Sequence, residues 1–575
     1  MDKQVQAVVQ LEGLDKPITP ISQISIMQQM GNHMTFSVGF PIEILERSGA
    51  SFGQQSRQAL GKLLTMSFSY STESAKSNIF KGLITDVYTA KYKQRGDEIV
   101  VSGASPTVLL EGAPKCRTFA DKTLKQVLDI VLSDYPDILK PLIRPKHTQS
   151  IPYLTQYFEN DFTFIVRLAI HYGEACFWDG ERFIFGEMQA GKAIPLQLVK
   201  NLKHFEMTQS VATSAYRIKG YNPINNQIFE STSSEISTPN LGNHADYACA
   251  ISDKLMDREG LVPSIHPFQY SNQLKEYVTT RRMQDLNDLI KFNASSDSPY
   301  LNLGREVDIL ANKKTPQSNG LEQIGKYSII GLSISMDSSG NYSSIFEGEP
   351  SGSNLPPART GVRHPVCQAQ TAIVKDNNDP EGLGRVRVQL RWQQKAEMTP
   401  WIRVILPYAG AQSKGFYFIP EIGDEVFVDF EHHNPDLPFV IGSTYNGGQK
   451  PVSWVDGKNN YKAIQTRSGN LISLYDEKGS EAIRITNANS ESMLQLSFAG
   501  DGMITLVTNG ELHFEGKKGM VFKTKGDIEF AGNGFKVDAQ NVDLAAKQSV
   551  NIKSEAQAKM SGKTIDIKGN LIKLN

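Results

Sequence analysis

Along residues 496–574 the chain places apolar side chains in pairs two positions apart. The pairs are Leu496/Phe498, Ile504/Leu506, Leu512/Phe514, Met520/Phe522, Ile528/Phe530, Phe535/Val537, Val542/Leu544, Val550/Ile552, Ala558/Met560, Ile565/Ile567 and Ile572/Leu574, and the steps between them are 8, 8, 8, 8, 7, 7, 8, 8, 7 and 7 residues. A polar residue separates the two members of every pair except Met520/Phe522, where Val521 intervenes. Alternation with period two marks a strand with one buried face. Gly500, Gly510, Gly519, Gly526, Gly534, Gly562 and Gly569 fall between pairs, where the chain has to turn.

A short repeat of fixed length reads as a β-solenoid. Two buried side chains supply roughly 3–5 kcal/mol of transfer energy per strand. Ordering each repeat costs about 1 kcal/mol or more per residue, so no such strand stands alone. Steps of seven to eight fit a single-chain β-helix poorly, because those advance by six or nine residues. Three chains winding together, each giving one strand to every layer of a triangular prism, fit better. An ordinary β-meander is the competing arrangement, and the argument against it is that hairpins need longer strands. The expected product is a stiff, narrow rod. Its blunt end, at Ile572, Lys573, Leu574 and Asn575, is expected to be exposed or capped by another protein.

Residues 365–447 alternate on a different plan. Ala372 to Val374, Arg385 to Trp392, Trp401 to Leu406, Gly415 to Ile419, Asp424 to Phe430 and Phe439 to Ser443 read as short strands of a small Greek-key barrel of OB type. Between the first two lies a turn cluster, Asp376-Asn377-Asn378-Asp379-Pro380-Glu381-Gly382. The following Gly382-Leu383-Gly384 invites a phosphate-loop reading. Such a loop leads from a strand into a helix N-terminus, whereas here the glycines lead into an alternating strand, so they are read as a turn. OB folds bind oligonucleotides through exposed aromatics among basic residues. Arg385, Arg387 and Arg391 supply charge, but Phe427 and Phe430 read as packing, so no nucleic-acid partner is expected.

Composition narrows the remaining classes. The 575 residues admit about three or four domains. Sixty basic residues meet 61 acidic ones, which calls for neither nucleic acid nor a charged membrane. The N-terminus lacks the basic start and apolar core of a signal peptide, and no apolar run is long enough to span a bilayer. Cys116, Cys176, Cys249 and Cys367 are scattered, without a CxxC pair or a disulfide framework. The chain is expected to fold in a reducing cytoplasm and, if it leaves the cell, to do so without a signal peptide.

Three constellations carry candidate chemistry. In Asp429-Phe430-Glu431-His432-His433, adjacent histidines on a strand would point to opposite faces, while Asp429, Glu431 and His433 would share one; a solvated strand end is the expected reading. His513, between Leu512 and Phe514, should face outward, and a trimer would ring three of them. Glu159 and Asp161 have the look of paired glycosidase carboxylates, but ahead of a helix they are expected to serve its N-terminus. No catalytic, cofactor or metal site is assigned. The competing class is a cell-wall hydrolase with a site in residues 200–330, a stretch that reads as mixed helix and loop.

The block GFYFIPEIGDEVFVDFEHHNPDLPFVIGSTYNGG, residues 415–448, resembles the OB domain of the VgrG family, the central spike of type VI secretion, at Pro420, Gly423, Glu425, Val426, Val428, Phe430, Pro435, Asp436, Pro438, Gly442, Tyr445 and Asn446. The usual Arg after Pro420 is Glu421, and the Asp and Pro are inverted as Asn434-Pro435-Asp436. The N-terminal part resembles the same family's hub. Phe80 to Val87 is similar to its F-x-G strand, and Gln156, Tyr157, Glu159, Asp161, Phe164, Arg167 and Leu168 to its Q-Y-x-E-x-D segment. Leu124, Val127, Leu128 and Val131 predict an amphipathic helix after a turn at Asp121. Gly304 and Tyr342 to Phe346 resemble the end of the hub.

The resemblance implies a mainly β, multidomain fold: a tail-hub domain over 1–360 with two barrel-like subdomains and helices, an OB-fold barrel over 365–447, a neck over 448–470, and a trimeric intertwined β-helix over 471–575. Pro356-Pro357, in the Gly/Ser/Pro stretch 347–360, reads as a linker. The implied function is structural. A homotrimer would cap an Hcp-like hexameric tube, dock on baseplate proteins, carry a PAAR-type tip protein on Ile572 to Asn575 and secreted effectors, and pierce the target-cell membrane transiently. A phage tail or an extracellular injection device fits the same motifs. The roughly twenty-five residues from Gly447 to Asn470 leave no room for an enzyme domain of the kind some tail spikes carry.

Overall fold

Strands Gln23–Gln29 and Leu63–Tyr70 bury every second side chain, as alternation demands. They belong to a twelve-stranded sheet in a computed structural model that describes residues 4–46, 53–54, 56–72, 76–90, 97–188, 191–213, 215–312, 320–353, 355 and 361–574. The chain divides into two units, Met1–Lys450 and Pro451–Asn575.

In the first unit the large sheet runs Val5–Leu11, Leu63–Tyr70, Asn78–Ala90, Glu98–Ala104, Thr35–Pro41, Gln23–Gln29, Leu321–Asp337, Tyr342–Pro350, Ile290–Ser296, Leu202–Gln209. The two barrel-like subdomains expected from sequence are therefore fused, and among the described residues the ladder does not close on itself. The cause is the 17-residue strand Leu321–Asp337. Its C-terminal part, Gly331–Asp337, pairs with Gln23–Gln29, while Leu321–Ser328 pairs with Glu306–Asn312, which in turn carries Ile194–Gln197. One long strand thus ties both halves together. Glycine is required where the sheet bulges at Ile84: a Cβ on Gly103 would lie 1.9 Å from the Leu83 carbonyl oxygen.

Four α-helices occur among the described residues: α1 (Leu124–Leu132), α2 (Asp161–Tyr172), α3 (Asn243–Leu255) and α4 (Ser271–Asn287). α1 buries Leu124, Val127, Leu128 and Val131 completely, and Thr123 with Gln126 closes its start as a capping box. Residues 200–330 are not mixed helix and loop. Besides α3 and α4 they hold the outer strands of the large sheet and a small sheet of Gln227–Thr232, Tyr216–Asn222 and Gly260–Pro263. The stretch read as a linker from 347 is strand as far as Pro350, followed by a turn of 3-10 helix at Ser351–Ser353; Pro356 and Pro357 lie outside the described residues.

The OB-type sheet has four strands in the order Arg387–Leu390, Gln370–Asp376, Glu425–Phe430, Pro438–Ser443. Val374, Val388, Val426, Val428 and Val440 are fully buried at its centre. Single bridges from Ile402 to Val386 and from Val404 to Val440 span the gap between the outer strands, and no continuous barrel closes. Two expected strands therefore shrink. Trp401–Leu406 contributes only those bridges, and Gly415–Ile419 contributes only Gly415, in a two-residue ladder of Ala409–Gly410 with Lys414–Gly415. Tyr408, Phe416, Tyr417 and Phe418 of that hairpin are all exposed, because no sheet neighbour covers them.

The second unit opens with five antiparallel strands paired in sequence order, Tyr461–Gln465, Leu471–Tyr475, Ala482–Thr486, Met493–Ser497 and Met503–Val507. This is a meander, the arrangement that strand length argued against. Five-residue strands suffice because the inner ones are hydrogen-bonded on both edges. Leu496 and Ile504, from successive pairs of the repeat, face each other across it. Among the described residues after Val507, none forms a strand ladder within the chain.

Candidate functional site

The Gly382-Leu383-Gly384 turn wraps around a carboxylate of its own. Asp379 accepts hydrogen bonds from the backbone N–H of Glu381 (3.1 Å), Leu383 (2.9 Å) and Arg385 (3.1 Å), and from Arg385 Nε (3.0 Å) and Nη2 (2.7 Å). Gly382 and Gly384 adopt φ of 65° and 69°, which lets the amides converge. The Arg385 hydrogen bonds and charge hold the Asp379 carboxyl far below its ordinary range. The turn already contains its anion, which leaves no cradle for a phosphate.

Glu159 and Asp161 are consumed in the same way. The N-cap of α2 is Asn160, whose Oδ1 accepts from Thr163 N at 2.8 Å. Asp161 takes the first helical position. Its carboxylate accepts from Lys115 Nζ (2.7 Å), Tyr135 Oη (2.6 Å), Gln156 Nε2 (2.9 Å) and the Arg117 guanidinium. Burial alone would raise its pKa; those donors outweigh burial and leave it lowered. Glu159 takes Arg167 Nη2 at 2.6 Å and Nε at 3.2 Å, with both side chains buried. Neither carboxylate is free to act as a glycosidase acid or base.

The Asp429–His433 stretch is not one extended strand. Glu425–Phe430 ends at Phe430, and Glu431–His433 turns as 3-10 helix with His432 and His433 at positive φ. Glu431 is held by Arg403, so Asp429, Glu431 and His433 share no strand face. His513 lies 2.9 Å from Glu511 Oε2, with its side chain 82% exposed. Among the described residues no group of three or more His, Cys, Asp or Glu side chains is placed to hold a metal ion. The four cysteines are free thiols, and no helix is long and apolar enough to cross a membrane.

What the first unit does build is a hub–OB junction. The inverted Asn434-Pro435-Asp436 docks on the strand Ser150–Glu159: Asp436 Oδ1 accepts from Thr155 N at 2.7 Å, and the Pro435 carbonyl accepts from Thr155 Oγ1 at 3.2 Å. Asn434 Nδ2 donates to the Ile265 carbonyl at 2.8 Å, and Gln393 Nε2 to Thr118 Oγ1 at 2.9 Å. Tyr157 packs against Trp392 at 5.9 Å between centroids. Burial pushes the Asp436 carboxyl up to about 6, against the opposing pull of Arg167. In the sequence, Pro435 and Asp436 stand out as positions of the OB resemblance and Asn434-Pro435-Asp436 as an inverted order, with no sign of a docking role. A polar triplet in a turn carries no sign of the distant backbone groups that it satisfies.

The second unit presents an apolar face. One row across its sheet is Ile464, Ile472, Ile485, Leu494 and Leu506; the next is Leu474, Ile483, Leu496 and Ile504. Ile472, Leu474 and Ile485 are 42–45% exposed and Ile504 71%. Beyond the sheet, the repeat pairs from Leu512/Phe514 to Ile572/Leu574 leave their large side chains 49–75% exposed, and Leu574 89%. Ile572, Lys573 and Leu574 are thus solvent-facing in the single chain; Asn575 lies outside the described residues.

Comparison with known proteins matches both halves of the first unit. Residues 40–248 match the phage tail baseplate hub (GPD) family, and residues 370–445 the type VI secretion system/phage-baseplate injector OB domain. The type VI secretion system spike protein VgrG4b of Pseudomonas aeruginosa is 33% identical over 143 residues, 22% of this chain and 18% of that protein. VgrG1a of the same organism is 30% identical over 143 residues, 22% of each chain. The match spans only about a fifth of the length of these curated relatives. A chain of the Francisella PdpA–VgrG complex shares the fold with a TM-score of 0.55 at 8% identity, covering 88% of both chains. An Escherichia coli component of the type VI secretion system, described as similar to bacteriophage T4 tail proteins gp27 and gp5, does so with a TM-score of 0.50 at 16% identity, over 76% of this chain and 99% of that one. With hub and OB families matched in the order in which the fold presents them, the chain is similar to the VgrG spike proteins.

Proposed function

We propose that the chain is the structural spike and adaptor of a contractile type VI secretion machine, working as a homotrimer. The observation that carries this reading is the uncovered apolar face of the sheet over 461–507, continued by the uncovered pairs of 512–574. A fully buried Leu or Ile contributes about 1.5–3 kcal/mol, so two rows of such residues left half in water are a strong drive toward association. A repeat that forms no ladder within its own chain finds its strand partners in identical chains, each of which offers the same spacing. The exposed Tyr408, Phe416, Tyr417 and Phe418 hairpin of the OB domain would be covered in the same association.

In this reading the hub seats on an Hcp-like hexameric tube and on baseplate proteins. The rod carries a PAAR-type tip protein at Ile572 to Asn575 and effectors with it, and it pierces the target membrane on contraction. Assembly is cytoplasmic, and release follows through the machine. The chain acts mechanically rather than as an enzyme, in keeping with the ion-paired state of Glu159 and Asp161.

Light scattering on the purified protein tests the reading. A mass near three times 63.8 kDa is expected; a stable, folded monomer would overturn it. Deleting residues 565–575 should abolish co-purification of a PAAR-type protein, and unchanged co-purification would remove the tip assignment. Purified protein should leave peptidoglycan intact across pH and divalent metals; clearing would reinstate the hydrolase class.

A further inference from the structure

Three imidazoles from three separate segments meet at the hub–OB junction. His171 is in the last turn of α2, His266 is in the loop after Gly260–Pro263, and His364 precedes Cys367, whose N–H donates to the His433 carbonyl of the OB domain at 2.8 Å. The ring centroids of His171 and His266 are 4.4 Å apart, and those of His266 and His364 5.6 Å. Tyr277 of α4 packs on both His171 (5.4 Å) and His266 (5.1 Å). All three histidines line a cavity of about 1180 Å³ that also touches Tyr153, Arg403 and Asp436, so solvent protons reach them.

We propose that His171, His266 and His364 form an acid-sensitive latch that holds the OB domain on the hub while the imidazoles are neutral and releases it when they are protonated. Nothing in this inference depends on the proposed function.

The surroundings favour the neutral form. Arg167 on α2 and Arg281 on α4 add positive charge. His147, beside Tyr172 at 4.5 Å, adds a fourth imidazole, with Glu276 of α4 3.9 Å from its Nδ1. Tyr172 and Tyr277 stay uncharged, since burial raises both. From the OB side the cavity is lined by two acidic groups, Asp436, engaged by Thr155 N, and Glu431, paired with Arg403, together with His432 and Arg385, which is paired with Asp379. Burial first, then repulsion from His364 and the arginines, pushes His266 down to about 3. Burial and Arg167 push His364 down to about 4, and His171 falls well below its ordinary value for the same reasons.

An imidazole whose pKa is lowered in the closed junction binds a proton more readily once the junction opens. The closed form therefore loses stability as pH falls through the ordinary histidine value of about 6.5. Asp436, raised to about 6, acts the other way: it gains its proton in the closed form below that pH and recovers part of the loss. At pH 5 each lowered imidazole favours opening about thirtyfold and the raised carboxyl opposes it about tenfold, a net opening on the order of a thousandfold between pH 8 and pH 5.

Amide hydrogen exchange on the full-length protein tests this. Protection of the segments containing residues 150–159 and 434–438 is expected to fall about a thousandfold more than that of Leu124–Leu132 on going from pH 8 to pH 5, after correction for intrinsic exchange. The double variant His266→Gln, His364→Gln should keep the pH 8 protection and lose most of the fall. A double variant with the full wild-type fall would overturn the latch. Should that variant fail to fold, exchange of the imidazole C2 hydrogens in the wild-type protein decides the matter. Half-titration of His266 and His364 below pH 5 is expected, and values near 6.5 would overturn the proposal.

Discussion

The Arg385 guanidinium grips the Asp379 carboxylate with two hydrogen bonds, Nη2 to Oδ1 at 2.7 Å and Nε to Oδ2 at 3.0 Å, and the two side chains are only 6% and 3% exposed. The pair holds the turn that a sequence reader first tests as a phosphate loop.

Removing one partner of a buried, hydrogen-bonded ion pair leaves the other charge uncompensated. Asp379→Ala is therefore expected to destabilise the OB domain by about 3 kcal/mol, read as a lower denaturant midpoint. Asp379→Asn keeps the shape and should cost less. Neither the wild type nor the variants should bind inorganic phosphate in calorimetry; millimolar binding by the wild type would restore the phosphate-loop reading.

Asp161 gives the pH dependence its acid limb. Its carboxyl is held below the ordinary value of 3.8 in the folded chain, so the stability that it contributes is present above that value and is lost as pH falls through the lowered one. Asp161→Asn should flatten the stability curve of the hub below about pH 4. It should also cost about 2–4 kcal/mol at pH 7, because Lys115 and Arg117 lose the opposing charge and Lys115 and Tyr135 meet an NH2 donor where Oδ2 accepted. Thermal unfolding from pH 3 to 7 provides the comparison.

The sheet face of the second unit separates folding from association. Ile485→Asp places a charge in the middle of the longer apolar row, opposite Leu494 and Ile472. Light scattering should show loss of the trimer, while near-ultraviolet circular dichroism of the first unit stays unchanged. Arg484→Asp, on the opposite face of the same strand, should leave the mass as it was.

Gly103→Ala tests the bulge in the large sheet. The new Cβ would meet the Leu83 carbonyl at 1.9 Å and Phe36 Cζ at 2.8 Å, so backbone has to move. A loss of about 2–4 kcal/mol in hub stability is expected, well above that of an ordinary Gly→Ala change in a strand. Gly112→Ala, where nothing lies within 4 Å, serves as the neutral control.

Much of this protein was legible in its residues. The i, i+3, i+4, i+7 pattern from Leu124 to Val131 gave α1, because a helix buries one stripe whatever it packs against. The alternation of Val386, Val388 and Leu390 gave an OB strand for the same local reason. The order of hub and OB motifs pointed to the VgrG resemblance that the family matches support. The fused sheet was not legible, since the 17 residues of Leu321–Asp337 serve two different partners and no local pattern records which strands lie alongside. The meander of 461–507 was missed because strand length was judged in isolation, whereas hydrogen bonding on both edges stabilises short strands.

The sequence by itself determined what depends on neighbours along the chain: the period-two rows, the helix stripes, the glycine turns and the near balance of charge. Only the tertiary structure decided the fate of the polar residues. Asp379 and Asp161 became ion-paired anchors rather than sites, Asn434-Pro435-Asp436 became a docking element, and His171, His266 and His364 became neighbours. Apolar burial is non-directional and shows in composition and period. A hydrogen bond or a charge contact needs a particular partner at about 3 Å, and that partner sits wherever the fold brings it.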